Sequence, residues 1–440
     1  MGSAERPGAF GPDRRPIVSP LHHASTTLLR PRFGAWAAVL DRDSFTFYEF
    51  FAGGGLARAG LGARWRCLFA NDFDPRKAEV YRANWGGAEM VCADVADIAL
   101  RDLGDAPDLV WASFPCQDIS LAGGGRGLGD PGANRATRSG AFWPFWKLMS
   151  GLAAAGRGPG VIVLENVLGV LTSSEGKDFV AIAEVVAGGG YRLGALVIDA
   201  RWFLPQSRPR VFIIAIAPEL PLPKGLGSAA PDERWAPAAL VAAHERLPER
   251  VRRRWVWWNL PRPTAPAPSL GEMLEPAPVV RWHSPDETRR LRAMMSPVNL
   301  AKIEDAVARG ERTAGTLYRR TRPTSDGRRH VRAEVRFDDV AGCLRTPSGG
   351  SSRQQVIVVE NGEVRSRLLS AREAARLMGL PDSYKLPTRY NEAYHVAGDG
   401  VAVPVVAHLA RHIIEPVVRG ARRGGSQPGR LNLALTAPAL

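Results

Sequence analysis

Three short segments carry side chains that could do chemistry together. Ser113-Phe114-Pro115-Cys116-Gln117 offers a thiol, Glu165-Asn166-Val167 a carboxylic acid beside an amide, and Gln206-Ser207-Arg208-Pro209-Arg210 a pair of guanidinium groups. A cysteine sulfur is a strong nucleophile once deprotonated, a carboxyl can pass or share a proton, and a guanidinium stabilises negative charge. Each segment adjoins an apolar run that reads as a buried strand: Leu109-Val110-Trp111-Ala112, Val161-Ile162-Val163-Leu164 and, just after the arginines, Val211-Phe212-Ile213-Ile214. Open α/β sheets place ligands and reacting groups at such strand ends.

Earlier in the chain a strand-like run, residues 45–50, leads into Phe51-Ala52-Gly53-Gly54-Gly55. Without Cβ atoms these glycines permit a tight turn and close approach of a ligand to the backbone. A nicotinamide fingerprint would need a third glycine at position 58, which is Arg58, so a dinucleotide pyrophosphate is disfavoured. Asp72 lies 17 residues past Gly55 at the end of the next strand-like run, where a carboxylate can hold two ribose hydroxyls. Phe73 beside it can stack on a purine.

Taken in order, these segments resemble the cytosine-C5 DNA methyltransferases. The likeness extends to Asn71-Asp72-Phe73-Asp74, to the stretch from Arg367-Leu368-Leu369-Ser370 to Gly379-Leu380-Pro381-Asp382, and to Gly398-Asp399-Gly400-Val401, running from about residue 45 to 416. It implies a Rossmann-like methyltransferase sheet, S-adenosyl-L-methionine as cofactor, and duplex DNA as substrate, with the target cytosine flipped out of the stack. By the same resemblance Cys116 attacks cytosine C6 and Glu165 acts at N3. Arg210 contacts O2 and orients Glu165, Arg208 supports the nucleophile side, Pro115 faces the exocyclic amine and Asn166 fixes the Glu165 turn. Phe51, Ala52, Gly53, Gly55, Asp72, Phe73, Asp94, Val95, Asp399 and Val401 form the cofactor pocket. This chain departs from the family in having Ser113 and Leu56 where a glycine is usual, and Asp399 where an asparagine is usual.

The elements needed to position these groups follow from punctuation. Strand-like and helical runs alternate as far as Ala217, the pattern of a doubly wound, mostly parallel sheet, with further strands expected at residues 67–70 and 196–198. Pro-rich stretches then flank Trp255-Val256-Trp257-Trp258. Residues 241–340 hold 20 basic against 13 acidic side chains, half of the net charge of +14. The expected organisation is an N-terminal arm (1–43), a catalytic domain (44–217), an irregular target-recognition domain (218–345), a return to the catalytic domain (346–419) and a disordered tail (420–440). A glycine-rich stretch at 122–132 is expected to act as a loop over the DNA.

With 440 residues and 45% hydrophobic content, one large and one smaller core are expected. No signal peptide opens the sequence and no apolar run approaches a membrane span, so a soluble, intracellular protein without a membrane partner is expected; with the resemblance, the expectation is a cytoplasmic, nucleoid-associated monomer. A cognate restriction endonuclease would act separately. No Cys-x-x-Cys pair suggests a metal, and Cys67, Cys92 and Cys343 are expected as packing residues. Two alternatives stay open: an RNA cytosine-C5 methyltransferase of the same superfamily, disfavoured by the lack of a Cys-Phe-Thr segment in the middle region, and a non-catalytic DNA-binding relative, disfavoured by the intact Cys116, Glu165 and Arg210.

Overall fold

The apolar runs become the middle of a seven-stranded sheet in a computed structural model that describes residues 44–119, 127–129, 137–323, 328–344 and 353–423. Its strands are β1 (Phe45–Phe50), β2 (Trp65–Asp72), β3 (Met90–Cys92), β4 (Leu109–Ala112), β5 (Val161–Val167), β6 (Arg192–Asp199) and β7 (Pro209–Ile216), in the order β3-β2-β1-β4-β5-β7-β6. All four residues of β4 are buried, as a strand covered on both faces requires. Helices α1 (Leu56–Leu61), α2 (Pro75–Trp85), α3 (Phe142–Ala154) and α4 (Lys177–Gly188) cross between the early strands. β7 breaks the parallel pattern, pairing antiparallel with both β5 and β6. Nine residues separate β6 from β7, and a parallel crossover needs about a dozen or more, so the chain turns straight back.

Beyond Ala217 the pattern of alternation changes, but the core does not stop. β8 (Gly227–Ser228) and β9 (Trp257–Trp258) form a small ladder beside β6. The Leu193 N–H donates to Arg254 O at 3.0 Å and the Val256 N–H to Leu193 O at 2.8 Å, so this segment covers the open edge of β6. Trp235, Trp258, Leu260 and Leu270 are buried in the main core. The tryptophans are therefore spent on packing, and the break at 218 is one of pattern rather than of core.

A separate small core lies further on. Strands β10 (Thr313–Pro323), β11 (Arg329–Arg336), β12 (Gln355–Glu360) and β13 (Glu363–Leu368) form an antiparallel sheet in the order β11-β10-β12-β13. The helices Pro285–Ala293 and Pro297–Ala308 supply Leu291 and Ile303 against Leu317, Val335 and Ile357. β12 faces both ways: Ile357 points into this core, whereas Val356 and Val358 join the main one. It is thus shared between the layers, whereas the sequence suggested a return to the first domain there.

The late motif explains itself locally. Arg367 makes a fully buried double ion pair with Glu373, at 2.6 and 2.7 Å, and Ser370 and Glu373 form a capping box that starts the helix Ala371–Arg376. Among the described residues, the stretch Tyr390–Arg423 alone is long and apolar enough to cross a bilayer, and 67% of its most apolar window is buried inside the protein. The helix Glu415–Arg423 extends past the expected start of the tail at 420. The arm 1–43, residues 424–440 and most of the glycine-rich stretch at 122–132 lie outside the described residues.

Candidate active site

The neighbouring strands β4, β5 and β7 deliver the three chemical segments to one rim of the sheet. Cys116, half-buried, follows β4 in a turn closed by the Ile119 N–H to Cys116 O bond at 3.2 Å. Ser113 accepts the Trp111 indole N–H at 3.1 Å, a contact glycine could not make. On β5, Glu165 is buried, with 5% of its surface exposed. Arg210 lies opposite Val167 in the β5–β7 ladder, diagonal to Glu165 on the same face, and its Nε sits 3.2 Å from Glu165 Oε1. Asn166 donates to Phe114 O at 3.0 Å and accepts from the Val167 N–H at 2.9 Å, tying the acid's strand to the loop of the thiol and half-buried Pro115.

The charges here are strongly coupled. Burial pushes the Cys116 thiol above its ordinary value; Arg210 and Arg208 pull it down, and Glu165 and Asp399 push it up. Burial also works against the Arg210 charge, but Cys343, Glu165 and Cys116 outweigh it, and its pKa is raised. For Arg208, burial and the neighbouring Arg210 charge outweigh the same three groups, and its pKa is lowered. Three of its side-chain bonds go to backbone carbonyls: Leu344 O at 3.1 Å, Gly398 O at 2.8 Å and Gly400 O at 2.7 Å. Arg208 therefore ties the late segment to the active-site rim, and the structure records no hydrogen bond from it to Cys116.

Cys343 corrects the expectation that the other cysteines merely pack. Its sulfur lies 3.4 Å from Arg208 Nη1 and 3.9 Å from Arg210 Nη2, while Cys92 is exposed and Cys67 meets the Tyr81 hydroxyl at 3.4 Å. Nothing in its spacing signalled this, because the loop reaches the site through backbone pairing of Ser207 N–H to Ala341 O and Ala341 N–H to Pro205 O. Asp118 was missed as well. Its carboxylate accepts the N–H groups of Arg138 and Ser139, bracing the chain where it leaves and re-enters the rim beside Cys116.

A second cluster sits at the ends of β1 and β2. Phe51, Gly53 and Gly55 all adopt positive φ, and the Ala52 N–H pairs with Asn71 O at 2.9 Å. Gly54 leaves no room for a Cβ against Tyr384, whose hydroxyl donates to Gly54 O at 2.7 Å. Asp72 accepts the Gly53 N–H at 2.8 Å and the Asp74 N–H at 2.9 Å, and burial raises its pKa. Phe73 is 67% exposed, an open platform, whereas Phe51 packs on Phe145. Asp94 caps the short turn Val95–Asp97 through the Ala96 N–H, and Val95 is buried. Val401 is buried, and Leu56 packs where a Cβ on Gly400 would clash. Asp399 is ion-paired with Lys77 at 2.8 Å.

A mostly parallel, doubly wound sheet with a glycine turn after its first strand, and a thiol, acid and arginine at its rim, defines a Rossmann-like methyltransferase. The family model for C-5 cytosine-specific DNA methylases matches residues 45–415, and the chain belongs to that family. Among its relatives, the type II methyltransferase M.NlaX of Neisseria lactamica is 25% identical over 84% of this chain and 96% of its own length. M.HaeII of Haemophilus aegyptius is 26% identical over 85% and 94%. The fold is shared with an Entamoeba histolytica methyltransferase (TM-score 0.53, 12% identity, covering 85% of this chain and 98% of that one). It is shared also with a Spodoptera frugiperda DNMT2 mutant (TM-score 0.52, 14% identity, 84% and 99%).

Proposed function

We propose that this chain methylates C5 of a flipped-out cytosine in a specific duplex DNA sequence, using S-adenosyl-L-methionine. The observation that carries the reading is the convergence of Cys116 with Glu165, the acid gripped by Arg210 at 3.2 Å. Cytosine C5 is too weak a nucleophile to take a methyl group unaided. Addition of the Cys116 sulfur to C6 forms a C–S bond and moves electron density toward C5 and N3. Glu165, oriented by Arg210, supplies or shares a proton at N3 as that charge develops. Burial raises the Cys116 pKa, and the Arg210 charge opposes that shift and so favours the attacking thiolate. Once C5 has taken up a methyl group from a sulfonium, which would leave as the neutral thioether, loss of the C5 proton to solvent and expulsion of the Cys116 thiolate restore the aromatic ring. Flipping the base out costs only a few kcal/mol.

The residues present fit an adenosyl group. Each Asp72 oxygen keeps acceptor capacity beyond its one backbone bond, Phe73 offers a free aromatic face, and the turn at Gly53 and Gly55 brings backbone close to a ligand. The cofactor when bound supplies an electrophilic methyl group on a sulfonium.

For the target we infer that the expected 218–345 region reads DNA through the ribbon β10–β11 of the small layer. Arg320 stands directly opposite Arg332 in its ladder, and Glu334, 3.8 Å from Arg320, supplies one negative charge to two positive ones, leaving an excess that an anionic partner would relieve. Arg329 begins the return strand and Arg328 precedes it, both exposed; residues 324–327, where a turn is expected, lie outside the described residues. The reading extends to a cytoplasmic monomer, with any cognate endonuclease acting separately.

Transfer of labelled methyl groups to duplex DNA and to RNA of the same sequence, followed by bisulfite sequencing, tests the proposal. Label confined to C5 of cytosine in one short recurring DNA sequence is expected. Labelling of RNA alone would transfer the activity to the RNA reading, and duplex binding without labelling would favour a non-catalytic protein.

A further inference from the structure

The late segment reaches the cofactor end of the sheet from the far side of the chain, and three sets of contacts hold it there. The carbonyls of Gly398 and Gly400 both accept from Arg208, so the backbone on either side of Asp399 is fixed. Asn84, at the C-terminal end of α2, exchanges hydrogen bonds with Lys385, its side chain donating to Lys385 O at 2.9 Å and accepting the Lys385 N–H at 2.7 Å. At the other end of α2, Lys77 Nζ lies 2.8 Å from Asp399 Oδ2, across 322 residues of sequence, with the two side chains only 22% and 31% exposed.

Lys77 follows Asp72-Phe73-Asp74 by one turn of helix, and Asp74 already has Arg76 as an ion-pair partner at 3.0 Å. Lys77 is thus the cation placed between the acid that ends β2 and the acid of the late segment. The electrostatics agree with that placement. Lys77 pulls the Asp72 pKa down, Asp399 pushes the Cys116 thiol up, and Asp399 with Asp72 raises Lys77 against the cost of its burial. An uncompensated carboxylate at 399 would repel Asp72 across the cleft and oppose thiolate formation at Cys116.

We propose that Lys77 and Asp399 form a clasp over the cofactor cleft, Lys77 being a positioning residue that holds the late segment against the glycine turn and so sets affinity for the cofactor. The inference rests on the S-adenosyl-L-methionine reading above. It gives Asp399 a function in this chain: a charged partner for Lys77, where the resemblance leads one to expect a neutral asparagine. The loss caused by removing Lys77 should fall on cofactor binding rather than on the ring chemistry at Cys116 and Glu165.

A double-mutant cycle on the full chain tests this, with calorimetric titration of S-adenosyl-L-methionine and steady-state kinetics on a target duplex. Lys77→Met should raise the cofactor Kd roughly three- to tenfold, the range a partly buried ion pair supports, and should raise the cofactor KM more than it lowers kcat. In the Asp399→Asn background the same substitution should cost far less, and Lys77→Arg should recover most of the affinity. Additive losses in the cycle, or a fall in kcat with Kd unchanged, would overturn the clasp. If Lys77→Met melts early, the coupling is read instead between Lys77→Gln and Asp399→Asn, since glutamine removes the charge and keeps a polar side chain. A wild-type chain that takes up no S-adenosyl-L-methionine would remove the cofactor reading itself, whereas normal wild-type binding with an additive cycle would remove only the clasp.

Discussion

Glu165 and Asp72 are both buried carboxylates at strand ends, yet their partners differ. Glu165 has the Arg210 guanidinium for a partner; Asp72 is held by two backbone N–H groups. The first arrangement orients an acid toward a substrate that comes and goes, and the second rigidifies an acceptor. Glu165→Gln should therefore lower kcat by about 10²- to 10⁴-fold with little change in cofactor Kd. Asp72→Ala should raise the cofactor Kd by roughly 10- to 100-fold, the value of hydrogen bonds to a charged group, with a smaller effect on kcat at saturation. Equilibrium titration beside single-turnover rates separates the two, and identical phenotypes would contradict the division of labour. At this scale the sequence was informative where a residue's chemistry is rare in context, as with Cys116 and Glu165. It was silent on Cys343, Asp118 and Lys77, whose meaning comes from partners brought close only by folding, 322 residues away in the case of Lys77.

Among the elements, β4 is found where its apolar run begins and ends, because a strand buried on both faces leaves no polar residue to blur the edges, and β1 keeps its expected bounds although Thr46 and the buried Glu49 interrupt its apolar run. β5 runs on into the polar residues of the site and β7 starts from them, so hydrophobicity alone ends the first early and begins the second late. β3, three residues long with two of them exposed, left no pattern to read, and strand direction in β7 is set by the length of its connection. The ribbon β10–β11 carries its own test. Arg332→Gln should weaken binding to every duplex and lower the slope of log K against log salt by about one, as loss of a single phosphate contact does. Because it also relieves the facing charge of Arg320, thermal stability should hold or rise. Relaxed preference at one base position with an unchanged salt slope would instead make Arg332 a base-reading residue, at a cost of about 1 to 3 kcal/mol.

For the molecule as a whole, the sheet, the late segment and the loop that follows β11 meet around one rim, and the mechanism requires that a covalent bond form there between Cys116 and the target base. Duplex DNA carrying 5-fluorocytosine at the target position tests that requirement directly, since fluorine at C5 blocks the loss that releases the sulfur. Incubation with the protein and S-adenosyl-L-methionine should give a species that survives denaturing electrophoresis, with peptide mapping locating the DNA on Cys116. Cys116→Ala should form none while still binding the cofactor. A denaturation-resistant adduct formed by Cys116→Ala, or none formed by a wild-type chain that methylates the unmodified duplex, would contradict the account.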